Sequence, residues 1–328
     1  MAPRKDAGRI LSTEKYMTVV VGSVRCVCKM VEKHVWDRGI AALGDRYHRV
    51  GSVDDPALLN ADCFLQFNIL NPYRENRRDR VAAYRYIINS GKPYLVWEEG
   101  NFRQIPQYKK FGWWSYLRSG RFNNTIVDVD RWQKIQRNTG IAVEPWAKHG
   151  DEIVIMGQLD GDSALMSLYD LGYFTFQQWV EEAIESIRQN SDRTICIRPH
   201  PLDKRSYLKN ESELRKKYKN VYVSQNYSST TTLNGGSGLQ QDLDKAWCVI
   251  TYTSNSAIEA VCKGVPVFAM SVESAAWDVA HHSFDDVENL SYSKDVDQWL
   301  HQIAYTIWTA EEISKGETWA HLKPVYFN

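Results

Sequence analysis

Nowhere in its 328 residues does the chain run to about 18 apolar residues without interruption, which leaves no candidate for a membrane-spanning helix. The N-terminal stretch MAPRKDAGRILSTEKY carries charge but no apolar core, so it does not read as a secretory leader. Cysteines are few and unpatterned: Cys26, Cys28, Cys63, Cys196, Cys248 and Cys262 include no C-x-x-C pair. Several sit in apolar, strand-like runs, where cysteine behaves as a small hydrophobe. A reducing, cytoplasmic setting without a membrane partner is therefore expected. Low-complexity sequence is missing as well, and 43% hydrophobic with 12% aromatic residues is the composition of a globular protein.

Net charge is also absent, with 40 Lys+Arg against 40 Asp+Glu, but the zero conceals a division. Residues 1–150 hold 25 basic against 15 acidic side chains, and residues 151–328 reverse the ratio. Such asymmetry points either to a polyanion near the first half or to two halves that attract each other across a cleft. A chain of this length suits two domains, placed here at 1–150 and 151–328.

Periodicity supports that division. MTVVVG (17–22), ADCFLQF (61–67) and PYLVWEEG (93–100) are short apolar runs separated by helical patterns, as are EIVIMGQ (152–158), TICIRP (194–199), WCVITY (247–252) and VPVFAM (265–270). Strands alternating with helices of this length indicate βαβ units and parallel sheets. The stretch from 101 to 150 loses the rhythm and reads as a long functional loop joined to the interdomain connection. Ligands in open α/β sheets sit where loops leave the carboxyl ends of strands, which directs attention to the loops after 98, 158, 199 and 252.

Each loop carries usable chemistry. After 252, Thr253, Ser254, Asn255 and Ser256 precede a helix, and Ser256 and Glu259 have capping-box spacing. Hydroxyls and free N–H groups at a helix start suit a phosphate, although capping alone also explains the pair. His200, between Pro199 and Pro201, can donate to a phosphate oxygen, and Arg198 can pair with one bidentately. Gln158, Asp162 and Ser163 line the first loop of the second half. Asp160-Gly161-Asp162 and Asp128-Val129-Asp130 have D-x-D spacing, but further metal ligands are lacking nearby, and no metal is expected. Glu98 and Glu99 end a strand, where one carboxylate can serve as a general base or both can be solvated. KKFGWWSYLRSGRFNN (109–124) interleaves Lys110, Arg118 and Arg121 with Trp113 and Trp114. Together with Arg103, these suit a phosphate backbone and stacked bases, or a loop folded into the contact between the halves.

Taken in order, EIVIMGQLDGDSA, ICIRPHP and VITYTSNSAIEAVCKGVPVFA resemble the nucleotide-sugar half of the capsular-polysaccharide type of glycosyltransferase, including the bacterial Kdo transferases. YLVWEEGNFR resembles the acidic D/E-G-F-x-R element of their first domain. Residues 93–165 are similar to compact glycosyltransferase-like proteins of tailed bacteriophages. The resemblance covers roughly residues 60–275 and implies an α/β GT-B fold, two Rossmann-like parallel-sheet domains facing a cleft, with no required metal or other cofactor. It implies that His200 and the 253–256 loop hold the donor phosphate, that Glu259 binds the nucleoside sugar, and that Glu99 stands at the catalytic carboxylate. The extra residue in EEGNF leaves Glu98 and Glu99 both open.

The function expected on these grounds is transfer of a sugar from a nucleotide-sugar, of the UDP-glucose or UDP-arabinose kind, to a hydroxyl. The basic first half, its cationic aromatic loop and the phage resemblance favour 5-hydroxymethylcytosine in phage double-stranded DNA as acceptor, flipped from the helix, in the host cytoplasm. A capsule or lipopolysaccharide glycan is the rival acceptor. A non-catalytic nucleotide- or DNA-binding protein is the alternative of another class.

Overall fold

The structure, a computed structural model, describes residues 18–22, 35–50, 53–69, 78–102, 108–146, 150–203, 206–226 and 237–327. Two sheets organise them. The first has six strands, β1 (Thr18–Gly22), β2 (Arg46–Val50), β3 (Cys63–Phe67), β4 (Tyr94–Glu99), β5 (Tyr108–Trp113) and β11 (Ile307–Thr309), in the order β11-β5-β4-β3-β1-β2. The second has five, β6 (Glu152–Met156), β7 (Ile195–Arg198), β8 (Val221–Val223), β9 (Ala246–Thr251) and β10 (Val267–Ala269), in the order β10-β9-β6-β7-β8. The helices are α1 (Val35–Ala41), α2 (Arg78–Asn89), α3 (Asp130–Thr139), α4 (Met166–Asp170), α5 (Phe176–Arg188), α6 (Ser206–Lys217), α7 (Ser237–Asp244), α8 (Ser256–Cys262), α9 (Val296–Ala304), α10 (Ala310–Ser314) and α11 (Glu317–Leu322).

All pairings in the second sheet are parallel. Its central strands are apolar along their length because both faces are covered: Ile153, Ile155, Ile195 and Ile197 pack on α5, while Val154, Cys196 and Val249 pack on the α8 and α9 side. Cys63, Cys196, Cys248 and Cys262 are buried free thiols, and burial pushes Cys196 and Cys262 up to about 12, so they act as packing residues. Cys26 and Cys28 lie outside the described residues.

The first sheet departs from expectation in two ways. Residues 101–150 are not simply a loop, since they contain β5 and α3; β5 pairs antiparallel with β4. Lys109 and Lys110 hid this strand, because a fully buried strand with two lysines matches neither an alternating nor an apolar pattern. The second departure is the C-terminal segment, which the sequence division assigned to the second half. It returns instead: β11 pairs antiparallel with β5, and Trp308, Ile313, Trp319 and Leu322 complete the core beneath β3, β4 and β5. Gly39 of α1 lies so close to this segment that a Cβ there would sit 1.9 Å from the Ile313 carbonyl oxygen.

A buried ionic clamp fixes the return. Arg131 of α3 donates to the Ala304 carbonyl at 2.7 Å, to the Ile307 carbonyl, and to Glu312 at 2.8 Å, with its guanidinium 3.6 Å over the Trp308 ring. Lys134 reaches the same Glu312 oxygen at 2.8 Å. Among the described residues no helix is long and apolar enough to cross a membrane.

Candidate functional site

In the second sheet β6 lies between β9 and β7. Strand order reverses between β6 and β9, which is where open α/β sheets leave a crevice at their carboxyl ends. The loops leaving these three strands are joined there. Gly157, the first residue after β6, donates its N–H to the Arg198 carbonyl at 2.7 Å. The next residue, Gln158, accepts from the Thr253 N–H at 2.8 Å and donates to its hydroxyl at 2.9 Å. Thr253 in turn donates to the Ala164 carbonyl at 3.0 Å. Two of the predicted residues thus form the bridge between loops rather than its lining, since Gln158 and Thr253 are both buried.

Around this bridge stand the polar groups expected from sequence. Ser254 and Ser256 share a hydroxyl contact at 3.1 Å, and Ser254 is held by its N–H on the Thr251 hydroxyl at 2.9 Å. The Leu202 N–H donates to His200 Nδ1 at 3.2 Å, which places the ring proton of the neutral imidazole on Nε2. Asp162 caps the short turn Ser163–Leu165 by accepting from the Ala164 N–H at 3.0 Å. Asp160 accepts from the Phe176 N–H at 2.6 Å. Burial pushes the Asp160 carboxyl up against that hydrogen bond, and the Asp203 charge adds to the rise. Among the described residues no group of three or more His, Cys, Asp or Glu side chains is arranged to hold a metal.

Several expectations are corrected. Arg198 does not point to a phosphate: it forms an ion pair with buried Asp242 and donates to the Gly238 carbonyl at 3.1 Å. Ser224 and Asn226 complete the shell of Asp242 at 2.8 and 2.6 Å. The Ser256–Glu259 capping box is not formed either. The N-cap of α8 is Asn255, with helical backbone angles and no side-chain cap bond, so Ser256 is already the first helical residue. Glu259 is half-buried on that helix.

Gly157 is a residue that sequence reasoning passed over. A Cβ there would meet the Arg198 carbonyl oxygen at 2.8 Å and the His200 nitrogen at 3.0 Å, and backbone cannot yield as a flexible side chain does. Gly157→Ala is expected to push the 198–203 loop away, read as a lower thermal unfolding midpoint and faster amide exchange across 198–203. The available signal was a glycine immediately after a central strand, where another backbone approaches closely.

On the first sheet, Glu98 and Glu99 point to opposite faces, as neighbours in a strand must. Glu99 shares its face with Trp97 and Phe111, beneath the C-terminal segment, and binds buried Lys109 at 2.5 Å. Glu98 lies on the other face opposite Lys110. One of its oxygens accepts from the Glu99 N–H at 2.8 Å. Burial first, then the charges of Asp162 and Glu98, raise the phenol of Tyr116 well above its ordinary value.

The aromatic and cationic loop serves internal contacts. Trp113 is fully buried, donates to the Leu322 carbonyl at 2.8 Å and packs on Trp319 and Tyr326. Trp114 lies edge-on to Tyr94 and hydrogen-bonds the Tyr326 hydroxyl. Neither ring is presented to a base, which corrects their assignment to an acceptor. Arg118 pairs with Asp278 of the second half, at 2.7 and 3.1 Å, and the Ser119 N–H donates to Glu273 at 3.1 Å. Arg121 lies exposed, 5.6 Å over the Tyr326 ring. Arg103 lies outside the described residues, as does the Ser/Thr/Gly-rich stretch 227–236. Because its ion pair is exposed, Arg118→Ala is expected to lower stability by no more than ~1 kcal/mol in chemical unfolding.

Residues 92–279 match the model of the capsule polysaccharide biosynthesis protein family. The chain belongs to that family. The matched segment begins just before the strand carrying Glu98 and runs through all five strands of the second sheet to the partner of Arg118. It leaves out β1 to β3 and the C-terminal return. No curated protein matches the sequence. Among solved structures, the KpsC β-Kdo 2,4-transferase of Thermosulfurimonas dismutans is similar at 15% identity with a TM-score of 0.51, over 89% of this chain and 90% of that one. The β-Kdo 2,7-transferase of the same organism's KpsC has 14% identity and a TM-score of 0.48, over 94% and 100%. The first of these shows the fold, which is the expected GT-B arrangement of two α/β halves.

Proposed function

We propose that the protein transfers a sugar from a nucleotide-sugar donor to a hydroxyl of a capsule-type glycan. The observation that carries this reading is the knot of Gly157, Gln158 and Thr253, which joins three loops at the reversal of strand order in a member of the capsule family. The phosphate of the donor lies against the Nε2–H of His200 and the hydroxyls of Ser254 and Ser256. Glu98, on the opposite side of the cleft, removes the proton of the acceptor hydroxyl. As the acceptor oxygen bonds to the anomeric carbon, the bond from that carbon to the donor phosphate breaks. Negative charge then grows on the departing nucleotide, where preoriented donors are most effective.

The glycan is favoured over hydroxymethylated DNA because the loop that suggested a nucleic acid spends Trp113, Trp114 and Arg118 on internal contacts. The names of the structural neighbours make Kdo the first sugar to try. The reading is tested by titrating nucleoside mono- and diphosphates into the protein and into His200→Ala. Binding by the parent, weakened at least tenfold in the variant, is expected, and equal affinity for both would remove His200 from the site.

A further inference from the structure

Helix α5 leaves the β6 loop, where Asp160 holds the Phe176 N–H, and runs toward the amino ends of the strands, away from the crevice. One stripe of it, Trp179, Glu182, Ala183, Ser186 and Gln189, follows the three- and four-residue spacing of a single helix face and lines a groove of about 410 Å³ within the second half. From Trp179 to Gln189 the stripe is about 15 Å long. Tyr252, Met270 and residues 282–285 form the facing wall.

Rings and uncommitted polar groups dominate this groove. Trp179 and Tyr252 are buried and meet edge to face, with centroids 5.5 Å apart. Tyr173 and Phe284 line it as half-buried rings. The hydroxyl of Ser186 and the side-chain amide of Gln189 have no hydrogen-bond partner among the described residues. Asn190 donates to Asp285 Oδ1 at 3.4 Å and Ser283 to Oδ2 at 2.9 Å. Glu182 and Asp285 are its acidic groups, His282 stands at its rim, and among the described residues no lysine or arginine lines it.

We propose that this groove binds a neutral stretch of glycan, outside the crevice where transfer takes place. The weakly positive C–H groups of a sugar ring lie well on the negative faces of aromatic rings, while its hydroxyls find the Ser186 hydroxyl, the Gln189 amide and the two carboxylates. With carboxylates and no opposing lysine or arginine, the lining repels phosphates and uronic acids and leaves a neutral sugar as the favoured ligand. The volume falls within the roughly 300–1,000 Å³ of ligand pockets, and the length of the stripe suits more than one sugar ring. An extended peptide has no strand to join, because the edge strand β10 is already closed by His281, which donates to the Val267 carbonyl at 2.8 Å and accepts from the Ala269 N–H at 3.0 Å. A glycan held in the groove while its end reacts in the crevice is presented at a raised effective concentration, so long acceptors outcompete short ones. That consequence rests on the proposed function, whereas sugar binding by the groove does not.

The test is saturation-transfer NMR of cellobiose, N,N′-diacetylchitobiose and digalacturonate on the full chain, on Tyr173→Ala and on Ser186→Trp. The first variant removes a ring, and the second fills the groove from the surface of α5 and is expected to keep the parent's thermal unfolding midpoint. Expected is saturation of a neutral disaccharide, binding of digalacturonate at least tenfold weaker, and at least a tenfold loss of the neutral ligand in both variants. Saturating nucleoside monophosphate is expected to leave disaccharide affinity unchanged. No neutral disaccharide bound by the parent, digalacturonate bound as tightly, full affinity kept by Ser186→Trp, or displacement by nucleotide would each overturn the inference. A Leu/Lys amphipathic peptide bound in place of every disaccharide would assign the groove to a protein partner and overturn it as well. A protein that binds nucleotide but no disaccharide overturns only the groove, and the converse overturns only the donor site.

Discussion

Glu98→Gln is expected to lower sugar transfer by about 10²- to 10⁴-fold, the usual contribution of a positioned general base, while nucleotide affinity stays within twofold of the parent. The amide keeps the size of the carboxylate and can still accept from the Glu99 N–H, so the loss falls on proton removal. Glu99→Gln is expected to behave differently. Its partner Lys109 is buried and would lose the carboxylate that neutralises it, so stability drops while turnover per folded molecule is largely kept. Measuring rate and unfolding for both variants assigns the base, a choice that EEGNF alone left open. Collapse of turnover in Glu99→Gln with Glu98→Gln fully active would reverse the assignment.

The second large effect is structural. Arg131→Met leaves Glu312 buried with Lys134 as its remaining cation and removes the donors to the Ala304 and Ile307 carbonyls. Removing one member of a buried ion pair typically costs about 3–5 kcal/mol. Here the loss frees the C-terminal return that closes the first sheet, read as a lower denaturant midpoint. The same clamp sets a pH dependence. Burial alone would raise the Glu312 carboxyl, but the hydrogen bonds and charge of Arg131, with Lys134 and the Thr309 N–H, outweigh it and bring it down to about 2. A carboxyl depressed on folding stabilises the native state above its unfolded value. That contribution, on the order of 3 kcal/mol, is present above about pH 4.5 and is lost as pH falls through about 2. Glu312→Gln should flatten the acid limb of the stability curve over that interval.

The second sheet was legible because parallel strands covered on both faces must be apolar throughout, as TICIRP and WCVITY are. The crevice followed from where those strands end, and Gln158, His200 and Thr253 from the loops there. What the sequence concealed depends on distant partners. Arg198 reads as a phosphate ligand until Asp242, 44 residues later, claims it. A three-residue strand such as β11 carries too little pattern to announce a pairing with β5 almost 200 residues before it. Alternating cations and aromatics fit a nucleic acid and a tightly packed corner equally well. The buried environment of Trp113 distinguishes the two, and no spacing rule contains it. The opposite charges of the halves fit the Arg118–Asp278 contact between them.

The most direct measurement is mass spectrometry of a purified capsule-type glycan after incubation with the protein and a panel of uridine, cytidine and guanosine nucleotide-sugars. The account predicts that one donor is consumed and the glycan gains the mass of one sugar, with the gain abolished by Glu98→Gln and strongly reduced by Gly157→Ala. A protein that binds none of the nucleotides and leaves every donor and glycan unchanged would contradict it.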